Sequence, residues 1–241
     1  MSSSKKLLNI LIIIVFCLGL VIGLALSGSM IWANFEASMF DPNLMGDEAL
    51  KLHCPLMLTE NETGTAYATF TNTGTWDVKL IVNATISENY VVMYRREKVI
   101  LDLAPGESQE VRWTVSGSEK VFGRFVFVKA ANNRLMPIPA RVGTCGIVVV
   151  NIPFLTGVEL VTLAIGLTIL FLAAGMFLWN RQNRPLRGQG REVMRSMYWL
   201  SVVIGADILC GVFGAWLPGI VAVVISVLLI VETLRHYITY S

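Results

Sequence analysis

Four long apolar runs limit the folds open to this chain more than any other feature. They span Leu7–Leu26, Thr156–Trp179, Met197–Trp216 and Ile220–Leu234. About 20 residues of helix cross the ~30 Å hydrocarbon layer of a membrane. Only 15% of the chain is charged, whereas soluble domains are about 25% charged. The sequence therefore predicts a multi-pass membrane protein with four transmembrane helices.

The first apolar run has two readings, as a retained anchor or as a cleaved signal peptide. A signal peptide has an apolar core of about 7–15 residues, followed by small residues before the cleavage site. Ala25 and Ser27 could form such a site. Because the run Leu7–Leu26 is longer than that core, we expect an N-terminal transmembrane signal anchor over residues 1–27.

Small residues recur along this first helix. Gly19, Gly23 and Ser27 follow one another at a spacing of four. Such spacing places them on one helix face, where small side chains allow another helix to approach closely. They are therefore candidate packing positions, although Gly is also frequent in membrane helices that make no such contact.

Residues 52–152, between the first two apolar runs, read as β-structure. In Thr65–Thr71 and Glu110–Val115, apolar residues alternate with polar ones. Turn signals such as Ala104-Pro105-Gly106-Glu107 separate the alternating segments at intervals of about 8–12 residues. This pattern favours an all-β sandwich. Residues 28–51, which contain turn chemistry and no clear period, are predicted to be an irregular connector.

Basic residues beside the apolar runs predict the orientation in the membrane. Two lysines precede the first run and Arg235 follows the last. A polar loop over residues 181–196 separates a transmembrane helix over 153–180 from a helical hairpin over 197–241. Its basic residues are Arg181, Arg184, Arg187, Arg191 and Arg195. Under the positive-inside rule both termini and this loop are cytoplasmic and the β-domain is extracytoplasmic, and the arginines also suit anionic lipid headgroups.

Two cysteines bracket the β-region. Cys54 and Cys145 lie in the segment assigned to the outer side of the cell membrane, where disulfides persist. We therefore expect a disulfide between them. A metal site is the alternative, because His53, Cys54 and Met57 supply ligand types that copper prefers. Cys17 and Cys210 fall in apolar runs and are read as small buried residues.

One carboxylate lies inside a predicted span. Asp207 is near the middle of the third run, where an isolated charge costs about 2.5–3.5 kcal/mol on insertion scales. We expect it to hydrogen-bond to a Ser, a Thr or a backbone group of a neighbouring helix. A proton or ion role is the alternative, since intramembrane carboxylates often serve transport.

Three segments carry motifs of a known type. Leu58–Gly64, Ala68–Gly74 and Leu103–Ser108 include an Asn-Thr-Gly turn and an Ala-Pro-Gly-Glu-Ser turn. Over residues 54–150 the chain resembles the immunoglobulin-like, CARDB-like modules of bacterial and archaeal surface proteins. The resemblance implies a sandwich fold with a binding or spacer role and no catalytic residue. For the chain as a whole no family resemblance is recognised.

These features predict function only at the level of class. The chain shows no nucleophile–base pair, nucleotide loop or zinc spacing, and over residues 28–155 acidic residues slightly outnumber basic ones. We therefore expect neither catalysis, nor a cofactor, nor nucleic-acid binding. We expect an accessory or scaffold subunit of a larger membrane complex, with membrane lipids and other subunits as partners. The alternatives are a stand-alone receptor or adhesin that binds through sandwich loops around Tyr90–Arg96, and a copper or redox protein that uses His53, Cys54 and Met57.

Overall fold

A computed structural model describes residues 3–133, 138–185 and 188–239 of the chain. These residues form one helix, then a strand-rich region, and then three more helices. The helices are α1 (Ser3–Met39), α2 (Gly157–Gln182), α3 (Gln189–Val212) and α4 (Trp216–Thr239). Each is long and apolar enough to cross a membrane. The described parts form two compact units, one from Met1–Ile31 with Val161–Ser241 and the other from Trp32–Leu160.

The strand-rich region lies between α1 and α2 in the sequence. Its strands are β1 (Glu48–Ala49), β2 (Leu52–His53), β3 (Met57–Thr59), β4 (Thr63–Thr71), β5 (Val78–Glu88), β6 (Tyr90–Leu103), β7 (Ser108–Ser116), β8 (Phe125–Asn132) and β9 (Arg141–Val150). A short 3-10 helix, Gly117–Glu119, follows β7 and is closed by a capping box between Ser116 and Glu119.

The strands form two sheets. The larger has the order β1-β9-β8-β5-β6, and β3 pairs with β9 as well. Strands β1 and β3 both run parallel to β9, whereas the other neighbouring pairs of this sheet are antiparallel. The smaller sheet has the order β2-β4-β7 and is antiparallel throughout. Strand β6 is therefore one edge of the larger sheet, and β7 is one edge of the smaller.

One hydrophobic core joins the two sheets. From the smaller sheet Ala66, Ala68 and Phe70 of β4 and Val111, Trp113 and Val115 of β7 are buried. From the larger sheet the inward residues of β5, β8 and β9 belong to the same apolar cluster. The alternation predicted for β4 and β7 is confirmed by this burial. Two sheets that share their inner faces form a β-sandwich.

Helix α1 is longer than the sequence predicted. It continues to Met39, so the prediction of an irregular connector over 28–51 is wrong for residues 28–39. No Gly or Pro lies between Met30 and Met39, and several residues there are good helix formers. The helix ends before Asp41 and Pro42, because a proline disfavours the α-helical conformation at the residue before it. Asp41 has a left-handed φ of 41°.

The arginine-rich loop is shorter than predicted. Helix α2 continues to Gln182 and α3 begins at Gln189, so residues 183–188 alone connect them. Arg181 therefore lies on α2, and Arg191 and Arg195 lie on α3, all three with exposed side chains. Residues 181–182 and 189–196, which were predicted to be loop, are helical. They contain no proline, and a polar sequence without proline can continue a helix as an apolar one does.

The remaining arginines of the predicted loop have different outcomes. Arg184 is exposed and lies in the connection, where its Nε donates to Asn180 Oδ1 at 3.4 Å. Arg187 lies outside the described residues.

The reversal between the last two helices also differs from the prediction. The last two apolar runs predicted from the sequence leave only residues 217–219 between them for the reversal, but α4 begins at Trp216. The chain reverses at residues 213–215, where Gly214 has a φ of 67°. Pro218 fits in the first turn of α4, because the backbone N–H groups of a first turn have no helical acceptor to lose.

Candidate functional site

The two bracketing cysteines are joined. Cys54 and Cys145 form a disulfide with 6.4 Å between their Cα atoms, which confirms the predicted pair. Cys54 follows β2 and Cys145 lies in β9, so the bond fastens the entry of the domain to its last strand. In this disulfide Cys54 has no thiolate, which is the form that binds a metal. The copper interpretation would therefore require the bond to be reduced.

The other two residues proposed for copper have structural surroundings. The imidazole of His53 stacks on the ring of Tyr67 at 4.8 Å between centroids. Met57 lies in β3, where it is buried and pairs with Val148 of β9. Within the described ranges no group of three or more His, Cys, Asp or Glu side chains is placed to hold a metal ion.

A buried polar cluster fixes the chain just after α1 to the larger sheet. The Lys129 ammonium on β8 donates to the carbonyl oxygens of Phe40 and Asp41, at 2.9 and 2.8 Å. The Asp41 carboxylate accepts from Thr85 Oγ1 of β5 at 3.0 Å. It also lies 3.5 Å from the guanidinium of Arg96 on β6. Three adjacent strands thus hold one turn of the chain.

Burial makes this cluster electrostatically demanding. Lys129 and Asp41 are each only 6% exposed. Burial lowers the pKa of Lys129, and the nearby Asp41 carboxylate opposes that shift. A buried ammonium is stable only when its N–H groups are matched by acceptors, and the two carbonyl oxygens supply them. The cluster is therefore a structural anchor in which the buried Lys129 ammonium holds the chain at Phe40 and Asp41.

Sequence reasoning did not find this anchor. From the sequence, Asp41 belonged only to the predicted connector over 28–51, and Lys129 belonged only to the predicted β-region. The two are 88 positions apart in the sequence, so only the strand order brings them together. The available signal was a charged residue within an otherwise apolar strand, Phe125–Asn132, because such residues seldom lie buried without a partner.

The last part of α1 packs closely on β9. A Cβ placed on Gly146 would overlap the carbonyl group of Ala33. The amide of Gly146 donates to Asn34 Oδ1 at 3.3 Å. Ala33 and Ala37 are fully buried, so small residues on the helix and a glycine on the strand together permit this approach.

Asp207 is hydrogen-bonded to a neighbouring helix. Ser226 Oγ of α4 donates to Asp207 Oδ2 of α3 at 2.9 Å. Both residues are fully buried. The second carboxylate oxygen, Oδ1, has no hydrogen-bond partner among the described residues. The sequence led us to expect a Ser, Thr or backbone donor without indicating which helix supplies it.

The small residues of α1 contact two other helices. A Cβ on Gly19 would lie 3.0 Å from backbone and side-chain atoms of Leu172 and Phe171 on α2. A Cβ on Gly23 would lie 2.7 Å from Ile204 of α3. Ser27 is fully buried and donates to the carbonyl oxygen of Gly23. Cys17, predicted to be buried, has an exposed side chain instead.

Strand β6 presents a long open edge. It has 14 residues, and in the described part of the chain it pairs with β5 alone. Tyr90–Arg96, predicted as binding loops, lies within this strand. Arg95 reaches across to the smaller sheet, where it donates to Thr114 O of β7 and pairs with Glu119. Met93, Tyr94 and Ile100 are exposed along the edge.

The chain was compared with known families and structures. No family model matches it, and no curated protein matches it. The crystal structure of the CARDB domain of a Pyrococcus furiosus protein is similar at 14% identity, with a TM-score of 0.34, over 44% of this chain and 89% of that domain. Its solution structure is similar over 96% of the domain, also at 14% identity and a TM-score of 0.34.

Parts of larger enzymes are similar as well. A β-glucosidase from Listeria innocua matches at 15% identity and a TM-score of 0.31 over 43% of this chain, but over only 16% of the enzyme. A segment of this chain is thus similar in structure to the CARDB domain, the module type that its turn motifs resemble.

Proposed function

We propose that this protein is a non-enzymatic accessory or scaffold subunit of a larger membrane protein complex. Its four apolar helices span the cell membrane, with both termini on the cytoplasmic side. The β-sandwich lies on the opposite side and contacts a partner protein through the open edge of β6.

Three observations support the membrane placement. Each of the four helices has the length and apolarity of a span. The exposed arginines 181, 184, 191 and 195 lie around the α2–α3 connection. The positive-inside rule assigns a connection rich in arginine to the cytoplasmic side. The Cys54–Cys145 disulfide belongs to the sandwich, and such bonds persist in oxidising compartments. An even number of spans satisfies all three at once.

The edge of β6 is the observation that carries the proposed function. An edge strand presents unpaired backbone N–H and C=O groups that another strand can pair with. Recognition domains use such edges by adding a partner's extended segment to the sheet. At 14 residues β6 is the longest described strand, and it combines exposed Met93, Tyr94 and Ile100 with charged neighbours. Backbone pairing would supply affinity and these side chains would supply selectivity.

The same observation favours a scaffold over a loop-binding receptor. A receptor of the kind considered above would use loops around Tyr90–Arg96. Of those residues, Tyr90, Tyr94, Arg95 and Arg96 are paired with β5, with an irregularity in the register between Tyr90 and Tyr94. A strand edge of this kind can accept an extended segment of another protein. The partner we propose is accordingly a protein with an exposed strand or extended segment.

The topology is tested by labelling single cysteines in intact cells. In a background with Cys17→Ser and Cys210→Ser, one variant carries Trp76→Cys and another Arg191→Cys, both at exposed positions. A membrane-impermeant maleimide should label position 76 in intact cells and position 191 only after permeabilisation. Labelling of both positions from the same side would overturn the proposed orientation.

The partner is tested by photo-crosslinking in native membranes. A photoreactive amino acid at Ile100, exposed on β6, should yield a discrete adduct larger than the protein alone. The matched control is Thr69, which is also exposed but lies on β4, the central strand of the smaller sheet. Equal adducts at both positions, or migration of the solubilised protein as a lone 26.6 kDa species, would contradict the proposal.

A further inference from the structure

We propose that one end of the β-sandwich is inserted into the headgroup layer of the lipid bilayer. We call this end the aromatic rim and define it by Tyr90, Met93, Phe122, Ile152 and Phe154. The inference rests on the proposed membrane placement and adds a lipid-binding surface to the sandwich itself.

The strand pairing brings the rim residues to one end of the domain. The bend at Asn89, between β5 and β6, lies beside the 3-10 helix, because Asn89 N–H donates to Glu119 O at 3.3 Å. The turn after that helix lies beside the end of β9, because Val149 N–H donates to Arg124 O at 2.7 Å. Ile152 and Phe154 directly follow the end of β9. Three separate segments therefore converge on this end.

The side chains at this end are large, apolar and exposed. Phe154 is 90% exposed, Tyr90 64%, Phe122 63% and Met93 56%. Phe122 has a φ of 53°, a backbone conformation that non-glycine residues adopt rarely. Apolar side chains gathered on one surface mark a binding site for a protein or a membrane, and aromatic residues are enriched at the water–lipid boundary.

Chain length favours lipid over a protein as the occupant. Gly157, the first residue of the apolar helix α2, is three positions after Phe154. At most ~3.3–3.6 Å per residue, Phe154 lies within about 11 Å of the start of that helix. The polar layer on each side of a bilayer is about 5–8 Å thick. A span that begins at Gly157 therefore leaves Phe154 in or beside the headgroups.

The charges near the rim suit the same environment. Arg124 is exposed next to Phe122 and can meet lipid phosphate. Lys120 pairs with Glu60 at 2.7 Å. Glu159, on the first turn of α2, accepts hydrogen bonds from Thr156, so its carboxylate serves as a helix cap. The opposite end of the sandwich has exposed Trp76 and Met45 but no span follows from it.

The test is spin labelling of the full chain in liposomes that contain anionic lipid. Single nitroxides replace Phe122 and Phe154 at the rim, and Trp76 and Met45 at the opposite end, again without Cys17 and Cys210. Collision rates are measured with oxygen, which concentrates in lipid, and with a polar nickel complex, which stays in water. We expect the ratio of oxygen to nickel collisions to be several-fold higher at the rim positions than at the opposite end.

A label at Leu170 separates failure of this inference from failure of the proposed function. Leu170 is exposed midway along α2 and should show the highest oxygen preference if α2 spans the bilayer. A water-like signal at Leu170 would overturn the membrane placement. A lipid-like signal at Leu170, together with equal oxygen-to-nickel collision ratios at the rim positions and at positions 76 and 45, would overturn only the insertion of the rim. Retention of the Cys54–Cys145 bond in each variant shows that it has folded.

Discussion

At the scale of single residues, the most informative group is the anchor formed by Lys129 and Asp41. Neither residue reaches water freely, and both are satisfied by groups from distant parts of the chain. Buried charges add little net stability when paired, but removing one partner is strongly destabilising. The anchor therefore specifies where the chain after α1 lies on the sheet.

The lowered pKa of Lys129 predicts a pH dependence of stability. Between that lowered pKa and the ordinary lysine value of about 10.4, the unfolded chain binds more protons than the folded one. The free energy of unfolding therefore increases as the pH rises. Below the lowered pKa both states are protonated and the penalty is constant. We expect the stability of the wild type relative to Lys129→Met to increase over this alkaline window, as measured by unfolding in detergent.

The outcome that contradicts this prediction is a stability difference between the two proteins that stays flat or declines over the same pH range. Thr85→Val is a useful companion, because it removes the Thr85–Asp41 hydrogen bond without changing any charge. Its effect should not depend on pH in the alkaline window.

Removal of the disulfide should destabilise the sandwich. The bond closes a loop with a sequence separation of 91, and the chain-entropy relation gives on the order of 4 kcal/mol for such a loop. We expect Cys54→Ser combined with Cys145→Ser to lower the melting temperature of the sandwich by many degrees. Treatment of the wild type with reductant should reproduce the change, and no shift in either experiment would contradict it.

The Asp207–Ser226 pair leads to a prediction about the membrane helices. Ser226→Ala removes the donor to Asp207 Oδ2, and hydrogen bonds between membrane helices are worth about 0.6–1.7 kcal/mol. We expect a loss of this size in unfolding experiments. The double variant Asp207→Leu with Ser226→Ala should recover part of it, since removal of both polar partners avoids an unsatisfied group. A double variant less stable than Ser226→Ala would exclude this explanation.

Much of the element level could be predicted from the sequence. Alternation along Thr65–Thr71 and Glu110–Val115 located β4 and β7 and their inward faces, because a period of two follows directly from strand geometry. Helix ends were predicted less well, since α1 continues past its apolar part and α3 begins before its own. Apolarity reports contact with lipid or core, whereas helix continuation depends on backbone propensity, and the two need not end at the same residue.

The glycines of α1 provide a matched test of helix packing. A Cβ at Gly23 would lie 2.7 Å from Ile204, whereas nothing lies within 4 Å of a Cβ at Gly28 on the same helix. Gly23→Ala should therefore cost about 1–3 kcal/mol through overpacking. Gly28→Ala should be neutral or stabilising by up to about 1 kcal/mol, because alanine favours helix. Equal effects in unfolding experiments would mean that packing does not limit these positions.

At the scale of the whole molecule, the chain is organised as two units with separate interiors. One is built on α2–α4 and the part of α1 up to Ile31 and has an apolar cluster of its own, and the other is the sandwich with its own core. The sequence predicted this division because apolar runs and alternating segments occupy different stretches. It could not predict that the last turns of α1 pack on β9, since that depends on the position of Gly146 in this strand.

This division predicts that the sandwich folds without the membrane helices. A fragment of residues 32–160, exported to an oxidising compartment and kept in mild detergent to cover the aromatic rim, should form the Cys54–Cys145 bond and unfold cooperatively. A fragment of residues 32–140, which lacks β9, is the control and should do neither. Cooperative unfolding of the shorter fragment would show that β9 is dispensable, and failure of the longer one would show that the units depend on each other.

The position of β9 has a consequence for truncated alleles of this protein. Three strands, β1, β3 and β8, all pair with β9, which follows them in the chain. A nonsense codon before residue 141 would therefore leave β1 and β3 without the strand they pair with and would expose one edge of β8. Mutations late in the coding region of the sandwich should accordingly be as damaging as early ones.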